Sequence, residues 1–338
     1  MIIAVDAMGG DNAPREVVKG AVKAVTESSD LQVILVGDKS AIEQELSLCT
    51  KKEIPAISIV HTEEYIAMDD HPSEVIRGKR KSSMHVGLKL VKDKKADGFF
   101  TAGNSMAVSM VILGLLDGVT RPAIGTILPC SNKRGHFFML DVGANVDCRP
   151  EHIVTFAIMG SAYAKKVLHI NNPSVGLLSN GEEEGKGDML TKTVYPILKE
   201  TNAINFVGNV EGKALFKGEA DVVVCDGFAG NIALKVSQSV AKYITSVLKE
   251  ELLSSTFSKI GALLSKKAFK KVKDKTDSSQ YGGAPLLGVK GICVIGHGSS
   301  NDVAVANGIK VAVNAAEGKM NDAIIDDVNN SLSNIYTY

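Results

Sequence analysis

The chain has no tryptophan, and aromatic residues make up only 5% of its 338 positions. With 45% hydrophobic residues, its core has to be mostly aliphatic, as buried parallel sheets usually are. Charge of one sign is not in excess, since Lys+Arg and Asp+Glu both number 38. That balance argues against general nucleic-acid binding. No CxxC pair occurs among Cys49, Cys130, Cys148, Cys225 and Cys293. A disulfide framework and a cysteine zinc site are both disfavoured, and a reducing cytoplasm is the expected setting. His71, His85, His136, His152 and His169 lack metal-ligand spacing, so no metal site and no cofactor is expected. No apolar run approaches the roughly 20 residues a membrane-spanning helix needs. Met1 leads straight into Ile2-Ile-Ala-Val5, so no signal peptide is expected.

Three catalytic signatures are missing as well. No G-x-G-x-x-G follows the first strand, which removes the usual dinucleotide fingerprint. No GxxxxGK[ST] occurs, which disfavours a P-loop kinase, and no G-x-S-x-G elbow marks a serine hydrolase.

What is present is an alternation of short apolar strands and helical patterns. Strands are expected at Ile2 to Val5, Leu31 to Val36, Ile57 to Val60, Gly98 to Phe100, Ile124 to Leu128 and Phe137 to Leu140. More follow at Val175 to Leu178, Asn205 to Gly208, Ala220 to Cys225 and Ile292 to Ile295. The class is therefore α/β with a mainly parallel sheet. No repeat or disordered linker breaks the chain. It reads as one catalytic unit, with a change of rhythm between Arg121 and Pro150 and a helical segment protruding at about 240–275.

Six loops share one grammar: an apolar strand, then glycine with Asp, Asn, Ser or Lys. They are Asp6 to Asn12, Thr101 to Ser105, Asp141 to Asp147, Ser179 to Gly187, Asp226 to Asn231 and His297 to Asn301. One such loop is an ordinary β-α turn as readily as a site. Six suggest a crevice, because parallel strands deliver their loops to one edge. Glycine amides and a few cations suit an anionic or carbonyl-bearing substrate. The candidate binding residues are Asp6, Gly9, Gly10, Gly103, Asn104, Asn145, Gly181, Gly187, Asp226, Gly227, Lys235, Gly298 and Ser299. Lys186 is the only cation between Gly181 and Asp188. His297, set between glycines, is either a turn residue bonded to backbone or a donor to an oxyanion. Cys225 reads as a small core residue.

Two further stretches carry charge. A basic helix is expected from Pro72 to about Lys92, with Arg77, Lys79, Arg80 and Lys81 in five residues. It is a solvated face or a docking site for an acidic partner or a phosphate. In the segment from Leu252 to Lys275, Leu253, Phe257, Ile260 and Leu264 recur every three or four residues, and lysines follow. That is the pattern of a helix lying on an anionic membrane surface or packing in a dimer.

Together these motifs resemble one family. They are D-A-M-G-G-D-N-A-P from Asp6, L-D-V-G-A-N-V-D-C from Leu140, G-E-E-E-G-K-G from Gly181 and V-G-N-V-E-G from Val207. V-V-V-C-D-G-F-A-G-N from Val222, Y-G-G-A-P-L-L-G from Tyr281 and H-G-S-S from His297 complete the set. The family is the bacterial phosphate acyltransferases of phospholipid synthesis, PlsX. The resemblance covers essentially the whole chain. It departs at Thr101 to Ala107, where the family usually has S-A-G-N-T-G-A, and at Leu178 to Glu183, where it usually has L-N-I-G-E-E.

The resemblance implies transfer of an acyl group from acyl-[acyl carrier protein] to inorganic phosphate. It also implies a three-layer αβα fold, like the phosphotransacetylases and the isocitrate and isopropylmalate dehydrogenases, and a homodimer. On that reading Lys186, Asn231, Lys235 and the glycine amides hold phosphate. His297 and Ser299 face the oxyanion or the departing thiolate, and the catalytic set is Lys186, His297 and Asn231. Glu182 to Glu184 would orient Lys186 or cap a helix. The membrane-bound glycerol-3-phosphate acyltransferase of the pathway is an expected partner, and peripheral membrane association the expected location. A non-catalytic carrier-protein binding module and an oxidoreductase on the same fold are the rival readings.

Overall fold

The computed structural model describes residues 1–50, 54–70, 75, 78–104, 108, 111, 112, 115, 116, 118–276 and 278–335. Eleven strands form a single sheet in the order β3-β2-β1-β4-β11-β10-β5-β6-β9-β7-β8. They are β1 (Ile2–Asp6), β2 (Gln32–Gly37), β3 (Ile57–His61), β4 (Gly98–Thr101), β5 (Gly118–Pro129), β6 (His136–Leu140), β7 (Ser174–Ser179), β8 (Asn205–Glu211), β9 (Val222–Val224), β10 (Ala284–Val289) and β11 (Cys293–Ile295). The α/β class with a mainly parallel sheet is what the alternation predicts.

The helices cover both faces of the sheet. Those that lie wholly within the described residues are α1 (Arg15–Glu27), α2 (Lys39–Cys49), α3 (Ser83–Lys92), α4 (Pro150–Lys166), α5 (Met189–Glu200), α6 (Gly227–Leu253), α7 (Thr256–Leu264), α8 (Lys266–Thr276), α9 (Asp302–Glu317) and α10 (Met320–Ile335). Helix α4 buries Ile153, Phe156, Ala157, Met159 and Tyr163, and Tyr163 stacks on Phe138 of β6 with ring centroids 4.3 Å apart. Such packing makes α4 a central, rigid support for whatever lies at its amino terminus.

Strand direction is where expectation and structure part. Strand β10 runs antiparallel to β11 and to β5, and β5 runs antiparallel to β6. The strands β1 to β4 and β11 therefore point one way, and β6 to β9 point the other. The six loops nonetheless converge: they fall into two sets of three that face each other, because the register sets the carboxyl ends of β1, β4 and β11 level with those of β6, β9 and β7. The pivot is β10, from a segment read only as a motif, Tyr281 to Gly288.

Three smaller differences follow from local chemistry. The basic helix is interrupted: Val75 and Gly78 are helical, and a new helix starts at Ser83, because Ser82 caps it and accepts from His85 N–H. Lys79, Arg80 and Lys81 thus lie between the two, while Arg77 and much of the expected first half lie outside the described residues. Strand β5 begins at Gly118, six residues before the apolar run suggests. The protruding segment is three helices, with breaks at Ser254–Ser255 and Ser265.

Candidate active site

The first loop set follows β1, β4 and β11. Asp6, at the end of β1, is buried and accepts from Thr101 Oγ1 at 2.8 Å and Met8 N at 3.2 Å. Burial raises its pKa, with the hydrogen bonds opposing. Asp6 thus braces two loops from inside. Gly9 lies over this brace: a Cβ there would come within 2.6 Å of Asp6 Oδ2 and 2.8 Å of Thr101 Oγ1. Asp11 N donates to Gly298 O at 2.8 Å, so the first and last loops are tied together. Gly103 N donates to Thr101 Oγ1, and Asn104 Nδ2 donates to Met68 O at 3.0 Å and Asp70 O at 3.3 Å. Asp6, Gly9, Gly10, Gly103, Asn104, His297, Gly298 and Ser299 are therefore one cluster. Ser105 lies outside the described residues.

His297 Nδ1 lies 2.8 Å from Ser299 Oγ and accepts from Ser299 N–H at 3.2 Å. That bond leaves the ring proton on Nε2. Partial burial depresses the imidazole pKa, and the cations Lys235 and Lys242 lower it further. His297 is accordingly neutral at pH 7 and can donate a hydrogen bond without carrying charge.

The second set follows β6, β9 and β7. Its centre is Asp141, which the sequence analysis did not single out. Its carboxylate is fully buried and accepts from the backbone N–H of Ile124, Gly143, Ala144 and Asn145 and from Asn145 Nδ2. Burial nonetheless raises its pKa. Both donors of Asn145 are spent, since its Nδ2 also donates to Pro122 O at 2.7 Å, and its Oδ1 accepts from Arg121 Nε at 2.5 Å. It positions the loop, and its side chain has no donor left for a substrate.

Gly227 N donates to Asn145 O at 2.7 Å, joining the β9 loop to the β6 loop. A Cβ on Gly230 would stand 1.9 Å from Asp141 O, so no other residue fits there. Asp226 accepts from Ala229 N–H and caps α6. Asn231 and Lys235, on the first turns of α6, are exposed. A Cβ on Gly143 would stand 3.4 Å from Asn231 Nδ2, so Asn231 faces the β6 loop.

The loop after β7 brings Gly181, Lys186 and Gly187 to the same set. Gly187 N donates to Asn180 Oδ1 at 2.8 Å, and Asp188 caps α5 through Thr191 N–H. Of the glutamates, only Glu183 touches Lys186, its backbone carbonyl accepting from Lys186 N at 3.0 Å. Glu182 pairs with Lys213 at 3.3 Å and Glu184 with Lys199 at 3.1 Å, because those lysines flank the loop on β8's extension and α5. Lys186 has no ion pair among the described residues and is exposed. Its charge is available to an anion.

The two sets meet electrostatically across α6. That helix starts in the second set, and its Lys235 and Lys242 are close enough to act on His297 of the first.

A mostly parallel sheet carrying two facing sets of glycine loops defines the phosphotransacetylase-like class of fold. Over 94% of both chains this protein superposes on a phosphotransacetylase from Streptococcus pyogenes, with a TM-score of 0.65 at 17% identity. Residues 1–322 match the model of the family described as fatty acid synthesis protein. The chain is 48% identical over 328 residues to the phosphate acyltransferase of Acidobacterium capsulatum, covering 96% of each. It is 46% identical over 330 residues to that of Lawsonia intracellularis, covering 96% of this chain and 94% of the relative. The chain belongs to the phosphate acyltransferase family.

Proposed function

We propose that this protein transfers a fatty acyl group from acyl-[acyl carrier protein] to inorganic phosphate. The observation that carries the reading is near-half identity to phosphate acyltransferases across 96% of both chains. Phosphate is anionic near neutral pH and is itself a nucleophile, so no Ser or Cys need be activated. An oxygen of phosphate attacks the thioester carbonyl carbon, the C–S bond breaks, and the thiolate leaves with the electron pair. The protein's part is to hold the two reactants in line and to stabilise the oxyanion that develops. Lys186, Asn231 and Lys235 hold phosphate on the second loop set. His297, through its Nε2 proton, with Ser299 beside it, donates to the oxyanion from the first. Single-turnover conversion of the thioester to acyl phosphate separates this from a non-catalytic carrier-protein binding module. The family match and the named relatives favour acyl transfer over the oxidoreductase reading.

Carrier proteins are acidic, and a cationic surface steers the encounter. Arg80 and Lys81 are exposed and fit that role. Lys79 is tied to Asp70, whose backbone carbonyl accepts from Asn104 of the first loop set. Docking would thus press on a segment connected to the site. Charge reversal at Lys79, Arg80 and Lys81, together with Arg77, should raise the carrier-protein KM several-fold and flatten its salt dependence, with phosphate KM unmoved. Unchanged carrier-protein KM and salt dependence would refute docking here.

A homodimer is supported by α6. Phe228, Ile232, Val236, Val240, Ile244 and Val247 recur along one face and are 40–59% exposed in the single chain. An apolar stripe that long on a soluble surface marks an interface. Beyond it, α7 presents Phe257 and Leu264, 89% and 82% exposed, beside Leu253 and Ile260. Lys266, Lys267, Lys270 and Lys271 follow and are exposed. Apolar residues with adjacent lysines suit reversible binding to an anionic membrane from the cytoplasmic side. Such a hold would shorten the path of a labile acyl phosphate to a membrane-bound glycerol-3-phosphate acyltransferase. The Phe257→Glu, Leu264→Glu double variant should lose co-sedimentation with anionic vesicles while remaining a folded dimer. Undiminished binding by that variant would mean the segment is not the anchor.

A further inference from the structure

An open cavity of about 460 Å³ lies beside the Asp141–Asn145 loop, where Arg121 bonds Asn145. Thr120 and Arg121 wall it from the start of β5, and Arg149, Glu151, His152 and Thr155 from the first turns of α4. None of these residues has been given a role in acyl transfer. The antiparallel pairing of β5 with β6 explains the position: the beginning of β5 lies beside the carboxyl end of β6.

The walls favour an anion. Arg121 spends its Nε on Asn145 Oδ1, and Asn145 is itself fixed by buried Asp141. One edge of the guanidinium is therefore anchored. Its two Nη groups have no partner among the described residues. Arg149 stands opposite, with Nε 3.0 Å from Glu151 Oε1 and Nη2 3.4 Å from His152 Nε2. Glu151 is the only acid in the walls, against two guanidiniums. His152 responds to this field: desolvation first, then Arg121 and Arg149, depress its pKa. The 17-residue helix α4 adds the positive end of its dipole to the same cavity.

We propose that this cavity binds a phosphoryl group, with Arg121 and Arg149 as its donors. A planar guanidinium matches phosphate oxygens in pairs, and an anchored one loses little freedom on binding. The volume falls within the roughly 300–1,000 Å³ of small-molecule sites. The identity of the ligand rests on the acyl-transfer reading, which offers two sources of the same chemistry. One is the phosphate substrate. The other is the phosphodiester of the carrier protein's phosphopantetheine arm.

Calorimetric titration of the full chain tests this without turnover. The probes are inorganic phosphate, 4′-phosphopantetheine and pantetheine, which lacks the phosphoryl group. The variants are Arg149→Ala, which leaves the Arg121–Asn145 bond intact, and Arg121→Lys, which keeps charge but loses the fork. The expected result is that a phosphorylated probe binds wild type, that each variant binds it about tenfold or more weakly, and that pantetheine does not bind. Binding should also raise the His152 pKa, read by NMR, because an adjacent anion favours the imidazolium. Tighter binding of phosphopantetheine than of phosphate assigns the cavity to the carrier arm, and the reverse order assigns it to the phosphate substrate in place of Lys186, Asn231 and Lys235. Failure of both phosphorylated probes to bind, or equal binding by wild type and both variants, would overturn the proposal. A wild-type chain that binds as expected but yields no acyl phosphate would instead refute the acyl-transfer reading and leave the cavity's assignment standing.

Discussion

Lys186→Ala lowers kcat/KM for phosphate by roughly 10²–10³-fold, the loss typical of removing one preorganised charge or donor from a site of developing negative charge. The expectation follows from how the loop distributes its charges. Glu182 and Glu184 are engaged by Lys213 and Lys199, so they do not neutralise Lys186. Its backbone is fixed, since Lys186 N donates to Glu183 O at 3.0 Å. Its side chain is exposed, so the substitution leaves no cavity and orphans no buried partner. Thermal stability should therefore stay within about 0.5 kcal/mol of wild type. Initial rates over a phosphate series check the prediction. Lys186→Arg should recover part of the loss, and wild-type kinetics in the alanine variant would remove Lys186 from the site.

Asp141→Ala has the largest expected effect on folding. Removing the carboxylate strands the N–H groups of Ile124, Gly143, Ala144 and Asn145 in a buried place and frees the Asn145 amide. Each stranded buried donor costs about 1–3 kcal/mol, partly recovered by relaxation and water entry. A net loss of about 4 kcal/mol follows, which is at the severe end for one substitution. Denaturant unfolding monitored by circular dichroism measures it. Asp141→Asn should lose less, because its amide oxygen still accepts. Its NH₂ must face donors, however, so it should not reach wild-type stability. A loss below about 1 kcal/mol in the alanine variant would mean the carboxylate does not hold these loops.

Much of this was legible in the residues. Glycine loops at the ends of apolar strands are local features, and local patterns survive folding. Asp188, Asp226 and Ser82 cap the helices that follow them, as their side chains allow. The site's division into two sets was not legible, because it depends on β10, which pairs with β5 across more than a hundred and fifty residues of chain. No local pattern reports the direction of such a strand. Asp141 was missed for a different reason. An acid that closes an apolar strand and precedes glycine looks the same whether it faces substrate or its own backbone. Asp6 and Asp226 share that signature, and the structure turns all three inward or onto a helix end. Arg121 escaped notice because it lies in the polar start of β5, ahead of the apolar run from Ile124.

On the acyl-transfer reading the chain makes acyl phosphate from a carrier-protein thioester and inorganic phosphate. Purified protein mixed with acyl-[acyl carrier protein] and radiolabelled phosphate tests it most directly. The expected result is label in an acyl phosphate, one free carrier-protein thiol released for each acyl phosphate formed, and no need for an added cofactor. Thiol release without labelled acyl phosphate, or no consumption of the thioester at all, would contradict it.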